Sequence, residues 1–412
     1  MENNIQSFKK IKCRLCESKK LKIVYKLRKT PIGDDYVNKK KKVKLYDLKL
    51  NMCKKCKFVQ LSNVINPNKV YGDYLYVTKT SAGLSQHFFN LGNALIKKKI
   101  ICKKSKILEI GCNDGTLLKF FKKKCSYLVG IDPASHLFKD KSIKTIKGLF
   151  SNNLSRRIKN IHGKFNVIIA NNVIANIDDL KDLFLGIQNI ITEDGFLIIE
   201  TFSLQGIIKK NLIDNIYHEH LSYFSINSLK EFAKKFDLNL KEVKVLSVKG
   251  GSLRFILQKK KIPVSSQVRN LIKKEKKILT NLEKKFKKIE KINNNNFIKI
   301  KNFFHTAIKQ DKKICGFGAS VGTTTLVYNF NLTKKIKYIF DNEKKRFNLY
   351  LPGTFIKVLN PKKINKINMD YIIIFAWRYS KLIINRNKKL FSSKIKFILP
   401  LPKFKIIKNT TN

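Results

Sequence analysis

Four short apolar runs constrain this chain more than any other feature. KILEIG (106–111), YLVGID (127–132), FNVIIA (165–170) and GFLIIE (195–200) each have the length and unbroken apolar character of a strand buried on both faces. Stretches that suit helices lie between them, such as DDLKDLFLGIQNII (178–191). Strands buried on both faces need cover on both, so the alternation calls for a doubly wound parallel α/β sheet. EVKVLSV (242–248) and SLRFILQ (252–258), separated by Lys249-Gly250-Gly251, read as a closing antiparallel pair. Farther on, KKICGFG (312–318), KYIFDN (337–342), DYIIIFAW (370–377) and KFILPLP (396–402) repeat the pattern as a second, degenerate Rossmann-like unit. The polar, Lys-rich stretch 263–310 between them suits a helix. The expected divisions are 1–75, 76–258, a helical linker 259–310, and 311–412.

The first of these strands runs into Glu109-Ile110-Gly111-Cys112-Asn113-Asp114-Gly115, and a helical stretch, TLLKFFKK, follows. Glycines let such a turn lie tightly against a ligand, and a carboxylate here can serve the ammonium of an amino-acid ligand. Asp132, about twenty residues on, can accept hydrogen bonds from ribose hydroxyls. A nicotinamide dinucleotide would fit that Asp too, but the turn is E-x-G-x-x-x-G rather than G-x-G-x-x-G. S-adenosylmethionine, which brings no pyrophosphate to the helix, fits better. Glu109, Gly111, Asn113, Asp114, Gly115, Asp132 and Asn171, the last at the end of the third run, form the expected cofactor set.

Eight cysteines in 412 residues are too few for a disulfide framework. Four fall in two close pairs, Cys13-x-x-Cys16 and Cys53-x-x-Cys56. Each pair offers two thiolates on one tight turn, and together they can close a tetrahedral zinc site. Four sulfur ligands leave no open position, so such zinc is structural, a staple for a small Lys-rich lobe. Cys102, Cys112, Cys125 and Cys315 read as packing residues.

Two of the six histidines fall in Tyr217-His218-Glu219-His220. A histidine can take a proton at neutral pH, a neighbouring carboxylate can orient it, and a tyrosine can hold a developing oxyanion. The H-E-x-x-H spacing of a helical metal site is absent.

Lys and Arg total 87 against 28 Asp and Glu, a net charge of +59. The excess is spread through every segment, so it reads as a solvated surface rather than a focused nucleic-acid groove, although it would draw in anionic substrates such as nucleotide diphosphates. MENNIQSFKK lacks the apolar core of a signal peptide, and no stretch reaches the length of a membrane span. A cytoplasmic monomer with no nucleic-acid or membrane partner is expected.

Taken in order, these pieces resemble the sugar C-methyltransferase family, whose members methylate a carbon of nucleotide-linked 4-keto sugars. The resemblance runs from Cys13/Cys16 and Cys53/Cys56 with KFVQL, through YGDYLYVTKTSAGLSQHF (71–88), ILEIGCNDGTLL and GIDPA (130–134), to IYHEHLSYFSINSL (216–229), KGGSLRF (249–255), CGFGAS (315–320), LPGT (351–354) and FAWRYS (375–380). It implies a class I methyltransferase Rossmann-like domain flanked by an N-terminal zinc lobe and a C-terminal degenerate Rossmann-like domain, enclosing a nucleotide sugar. It also implies His220 as the base, with Glu219 and Tyr217 positioning, Tyr76 near the sugar, and Gly316, Gly318 and Ser320 on the substrate side. The sequence departs from that pattern twice. Asn176 stands where many relatives carry His, and the turn Gly318–Thr325 has no Lys. The competing expectation is a zinc-knuckled RNA or DNA methyltransferase, which would explain the charge but not the second Rossmann-like unit.

Overall fold

The computed structural model describes residues 6–39, 42–71, 77–81, 83–138 and 140–409. The chain falls into two compact units. One comprises Met1–Lys22, Asn51–Gly206 and Glu219–Thr280; the other comprises Ile23–Leu50, Ile207–His218 and Asn281–Asn412.

The first unit is built on a seven-stranded sheet. Its strands are β2 (Lys106–Ile110), β3 (Tyr127–Asp132), β4 (Lys144–Lys147), β5 (Phe165–Asn171), β6 (Ile191–Phe202), β8 (Asn239–Leu246) and β9 (Ser252–Gln258), in the order β8-β9-β6-β5-β2-β3-β4. β4 through β6 are parallel across the sheet, and β8–β9 closes it as an antiparallel hairpin. Two short strands, β1 (Val59–Leu61) and β7 (Ser222–Tyr223), pair outside this sheet. Helix α1 (Leu84–Lys97) carries Leu84, Phe88, Leu91 and Leu95 on one face. That stripe packs, with Leu117, Leu118 and Phe121 of α2 (Thr116–Phe121), over Ile107, Val167, Ile169, Ile198 and Ile256. On the sheet's other strand connections, α3 (Asn152–His162) is capped by the Ser151 hydroxyl and α4 (Leu180–Ile190) by the Asp179 carboxylate.

The second unit holds a six-stranded sheet. β10 (Ile314–Phe317), β11 (Tyr338–Phe340), β12 (Lys357–Leu359), β13 (Tyr371–Ile374) and β14 (Lys396–Leu399) are parallel in the order β12-β11-β10-β13-β14, and β15 (Lys405–Lys408) adds antiparallel at the edge. The Lys-rich stretch read as one helix is two, α6 (Ser266–Leu279) and α7 (Leu282–Lys309). The break falls at Asn281, whose φ of 53° lies in the left-handed region that Asn tolerates. α6 belongs to the first unit and α7 to the second. No helix among the described residues is long and apolar enough to cross a membrane.

Candidate active site and metal centre

Side chains alternate along a strand, so residues two apart share a face. The core positions Ile107, Ile169, Ile198 and Ile256 face α1 and α2. Two residues along toward the C-terminal edge of the parallel strands, the same face therefore presents Glu109, Asn171 and Glu200, with Arg254 on the antiparallel β9. Register sets Asn171, Glu200 and Arg254 side by side in one row, with Glu109 one same-face step below it, beside Gly130 and Ile169. Asp132, two beyond Gly130, continues the row to β3.

Over this row the turn after β2 is left-handed at Gly111 (φ 75°), Asn113 (φ 49°) and Gly115 (φ 72°). A Cβ on Gly115 would stand 1.9 Å from the Phe138 ring, so glycine is required there for packing as well as for backbone. Asp132 latches the turn. Its Oδ2 accepts the Asn113 amide at 2.9 Å and its Oδ1 accepts the Ala134 amide at 2.8 Å. Each of those oxygens keeps a second lone pair for a ribose hydroxyl. Asn113 and Asp114, expected to touch cofactor, also accept the amides of Thr78 (2.9 Å) and Lys79 (3.0 Å), drawing the segment before α1 across the turn.

Burial, reinforced by the charges of Asp132 and Asp114, holds the Glu109 carboxyl well above the usual carboxylate range. Burial also raises Asp132. Glu109 Oε2, both amide atoms of Asn171, and Asn176 Oδ1 are buried without hydrogen-bond partners. Leaving each such group unpaired costs about 1–3 kcal/mol. A ligand that brings an ammonium and hydroxyl groups to this edge matches them, and S-adenosylmethionine has both.

The Tyr217–His220 turn is divided between the units. Tyr217 and His218 belong to the second, Glu219 and His220 to the first. His218 is buried, 3.1 Å from the Thr30 hydroxyl and edge-on to Tyr46, and burial pushes it down to about 4. It is a neutral packing residue at ordinary pH. His220 instead stacks on Phe202, with ring centroids 4.2 Å apart. Phe202 lies two residues past Glu200, on the face of the cofactor row. The next residue, Leu221, is pinned on both sides: its amide donates to Ala175 O at 2.7 Å and its carbonyl accepts from Leu61 at 2.9 Å. Tyr71, which sequence reasoning gave no role, joins this corner. Burial and the negative charge of Glu219 push its hydroxyl up, and the Asn176 side chain hydrogen-bonds it. Tyr76 lies outside the described residues.

A second feature missed from sequence is a trio in which half-buried His87 meets buried Glu200 and Arg254. His87 Nε2 is 2.5 Å from Glu200 Oε1, and the Arg254 guanidinium is 2.9 Å from Glu200 Oε2 and 3.2 Å from His87 Nε2. Each member lies in a segment already singled out, LSQHF, GFLIIE or GGSLRF, but only β6–β9 pairing and the packing of α1 bring them together.

The two cysteine pairs converge within the first unit. All four sulfurs lie within 4.8 Å of one another, with Cys13–Cys56 at 3.5 Å and Cys16–Cys53 at 3.6 Å. Sulfurs about 2.3 Å from a tetrahedral zinc stand about 3.8 Å apart, so the cluster fits that ion with little adjustment. Both knuckles have one geometry. Glu17 N donates to Cys13 O and Lys57 N to Cys53 O, each at 2.9 Å, and Glu17 (φ 58°) and Lys57 (φ 61°) are both left-handed. Arg14, inside the first knuckle, is held by Asp178 at 2.8 Å and by Leu61 O at 3.0 Å.

In the second unit, Gly318 (φ 92°) turns the chain after β10, and Ser320 caps α8 (Val321–Asn329) in a capping box with Thr323. The turn's amides are spent within the protein. Gly318 N donates to Phe340 O (2.8 Å), Ala319 N to Asp341 Oδ2 (2.5 Å) and Ser320 N to Thr323 Oγ1 (3.1 Å). Gly316 is required for space, since a Cβ there would stand 2.8 Å from both Ile339 and Phe375. Nearby in the fold of this unit, Arg346 pairs with Asp34 at 2.8 Å, while Asp34 Oδ2, the Tyr36 hydroxyl and Arg346 Nε are buried without partners.

Comparison with known proteins finds three successive matches along the chain. Residues 13–71 match the profile of a zinc binding domain, 90–243 that of a methyltransferase domain, and 247–402 that of a C-methyltransferase C-terminal domain. The chain belongs to the C-methyltransferases with an N-terminal zinc-binding domain. The C-methyltransferase NovU of Streptomyces niveus is 24% identical over 404 residues, covering 96% of each chain. Among solved structures, the magnesium protoporphyrin IX methyltransferase of Synechocystis with bound S-adenosylhomocysteine aligns with a TM-score of 0.32 at 12% identity, covering 43% of this chain and 84% of that one. An S-adenosylmethionine-dependent methyltransferase from Clostridium acetobutylicum aligns at 0.34 and 16%, covering 44% and 93%. This protein is thus an S-adenosylmethionine-dependent C-methyltransferase with a four-cysteine zinc site.

Proposed function

We propose that the acceptor is a nucleotide-linked 4-keto sugar and that the methyl group is added at C3, with His220 as base. The stacking of His220 on Phe202, on the face that carries Glu109 and Asn171, is the observation that carries the reading. Bound S-adenosylmethionine supplies an electrophilic methyl group on its sulfonium.

The protein's own residues do the rest. Asp132 takes the ribose hydroxyls, Glu109 and Asn171 take the amino-acid end, and Gly111, Asn113, Asp114 and Gly115 shape the turn beneath. A keto group at C4 acidifies the C3 hydrogen, so a histidine is a sufficient base at neutral pH. Glu219 and Tyr217 hold His220 and the sugar in line, and Tyr76 contacts the sugar. The 311–412 region, with Gly316, Gly318 and Ser320 at its strand–helix turn, receives the nucleotide. The protein acts as a cytoplasmic monomer, and the four-cysteine site takes no part in the chemistry.

The test is incubation with labelled S-adenosylmethionine and a panel of nucleotide 4-keto sugars, with deuterium exchange at C3 followed in parallel. His220→Ala should lose both methyl transfer and exchange yet bind S-adenosylmethionine normally. Undiminished exchange in that variant would remove His220 as the base.

A further inference from the structure

β6 ends with Ile198, Glu200 and Phe202 on one face, the face that α1 covers. His220 stacks on Phe202, and His87, in the first turn of α1, bonds to Glu200. Two histidines therefore stand over neighbouring same-face positions whose Cα atoms are about 7 Å apart along the strand. Glu200 is also the register partner of Asn171, so the pair adjoins the cofactor row. An edge built for S-adenosylmethionine alone has no need of a second histidine there.

The trio is arranged to hold His87 in one protonation geometry. Glu200 is fully buried, which would raise its carboxyl, but the His87 hydrogen bond and the Arg254 charge outweigh burial and keep it below the usual range. A carboxylate only accepts, so the proton of the short His87–Glu200 contact sits on His87 Nε2, and the Arg254 Nη2 that stands 3.2 Å from that nitrogen is held by Glu200 Oε2 at 2.9 Å. Nδ1 is left to exchange protons; it has no hydrogen-bond partner among the described residues, and the side chain is 16% exposed. A histidine fixed by a carboxylate through one nitrogen, with the other nitrogen open, is the arrangement of an oriented acid or base. Asn176, the polar side chain of the loop after β5, can hydrogen-bond an oxygen but cannot carry a proton to it.

We propose that His87 is a second acid–base residue of the methyl transfer, serving the acceptor's carbonyl oxygen while His220 serves its carbon, with Glu200 and Arg254 as positioning residues. The proposal rests on the enolate reading above. As the C3–H bond breaks, its proton passes to His220 and its electron pair forms the C3–C4 double bond, the carbonyl π pair moving onto oxygen. His87, protonated at Nδ1, gives that proton to the oxygen. When the carbonyl re-forms, the oxygen returns the proton to His87 and the double-bond pair makes the new bond from C3 to methyl. The methyl–sulfur bond breaks with its pair left on sulfur. The one proton released in the cycle leaves from His220 to water, and His87 ends as it began.

The variants His87→Gln, His87→Ala and Glu200→Gln are compared with the wild-type chain for turnover, C3 exchange in the presence of S-adenosylhomocysteine, and S-adenosylmethionine affinity. His87→Gln should lower kcat about 100- to 1000-fold, the usual worth of a general acid, and slow exchange in parallel. Its S-adenosylmethionine Kd should stay within about threefold of wild type, on the same argument that acid–base groups act on the chemical step. Added imidazole should restore part of the turnover of His87→Ala. A structural role would instead weaken cofactor binding and leave His87→Ala unrescued by imidazole, and either that result or near-normal kcat in His87→Gln overturns the proposal alone. Wild-type protein that neither exchanges nor methylates any 4-keto sugar overturns the enolate reading, and the proposal with it.

Discussion

The chain builds one kind of strand–turn–helix twice, in 106–132 and in 314–341, and closes both with the same latch. Asp132 takes a turn amide, Asn113, on one oxygen and the amide two residues after itself, Ala134, on the other. Asp341 does the same with Ala319 and Glu343. What separates the two turns is the company of the latch. Around the first, buried polar atoms of Glu109 and Asn171 are left unpaired. In the second, the amides of Gly318, Ala319 and Ser320 all have partners, and the unpaired atoms belong to Asp34, Tyr36 and Arg346 instead. A glycine turn with a distal acid therefore defines a backbone shape; which ligand it takes depends on side chains contributed from other segments.

Metal removal should divide the two regions most sharply, because both cysteine pairs belong to the first. Cys53→Ser should abolish the expected single zinc per chain in elemental analysis and unfold the first unit's knuckles, where structural zinc supplies on the order of 10 kcal/mol. Hydrogen exchange should show the loss in 6–22 and 51–61 and leave 314–341 protected. Equal loss in both stretches would break the division.

The latches themselves give the next largest contrast. Asp132→Ala removes two charge-assisted ribose contacts as well as the turn's support, and should weaken S-adenosylmethionine binding about a thousandfold, near 4 kcal/mol. Asp341→Ala should leave that affinity within about twofold, since its turn carries none of the cofactor row. Calorimetric titration checks both, and a matching loss in Asp341→Ala would show that the second turn also serves the cofactor.

Much of this was legible in sequence because the signals are local. Unbroken apolar runs, two of them ending in glycine, located the central strands of both sheets, and the paired C-x-x-C spacing located four sulfurs that do converge. What escaped was either short or assembled. β12 and β15 are three- and four-residue strands that each begin with a lysine, too brief for a period to show. The break at Asn281 leaves no Gly or Pro to mark it. The His87–Glu200–Arg254 trio spans three segments that meet only through sheet register and helix packing, and nothing in the sequence orders β6 beside β9. The division of Tyr217 and His218 from Glu219 and His220 is likewise a property of packing.

The smallest contrast is in how single buried groups of the two regions answer pH. In the second unit, burial depresses His218 from 6.5 to about 4. Above pH 6.5 it is neutral folded or unfolded, so its full contribution is present; as pH falls through 4 the unfolded chain binds the proton first and stability is lost. In the first unit, Glu275 of α6 has its Oε2 on the Ile226 amide at the start of α5 (Ile226–Lys234) and its Oε1 unpartnered, and burial raises it to about 7. Its sign is opposite. Below pH 4.5 it is protonated in both states, and as pH rises through 7 the unfolded chain releases the proton first and stability is lost. Each shift is worth on the order of 3 kcal/mol at its limit. Measured against wild type by denaturation from pH 4 to 8, His218→Gln should therefore gain ground toward pH 4, and Glu275→Gln toward pH 8. A pH-independent difference for either variant would mean that its group carries the same proton folded and unfolded, and that burial there is relieved by motion.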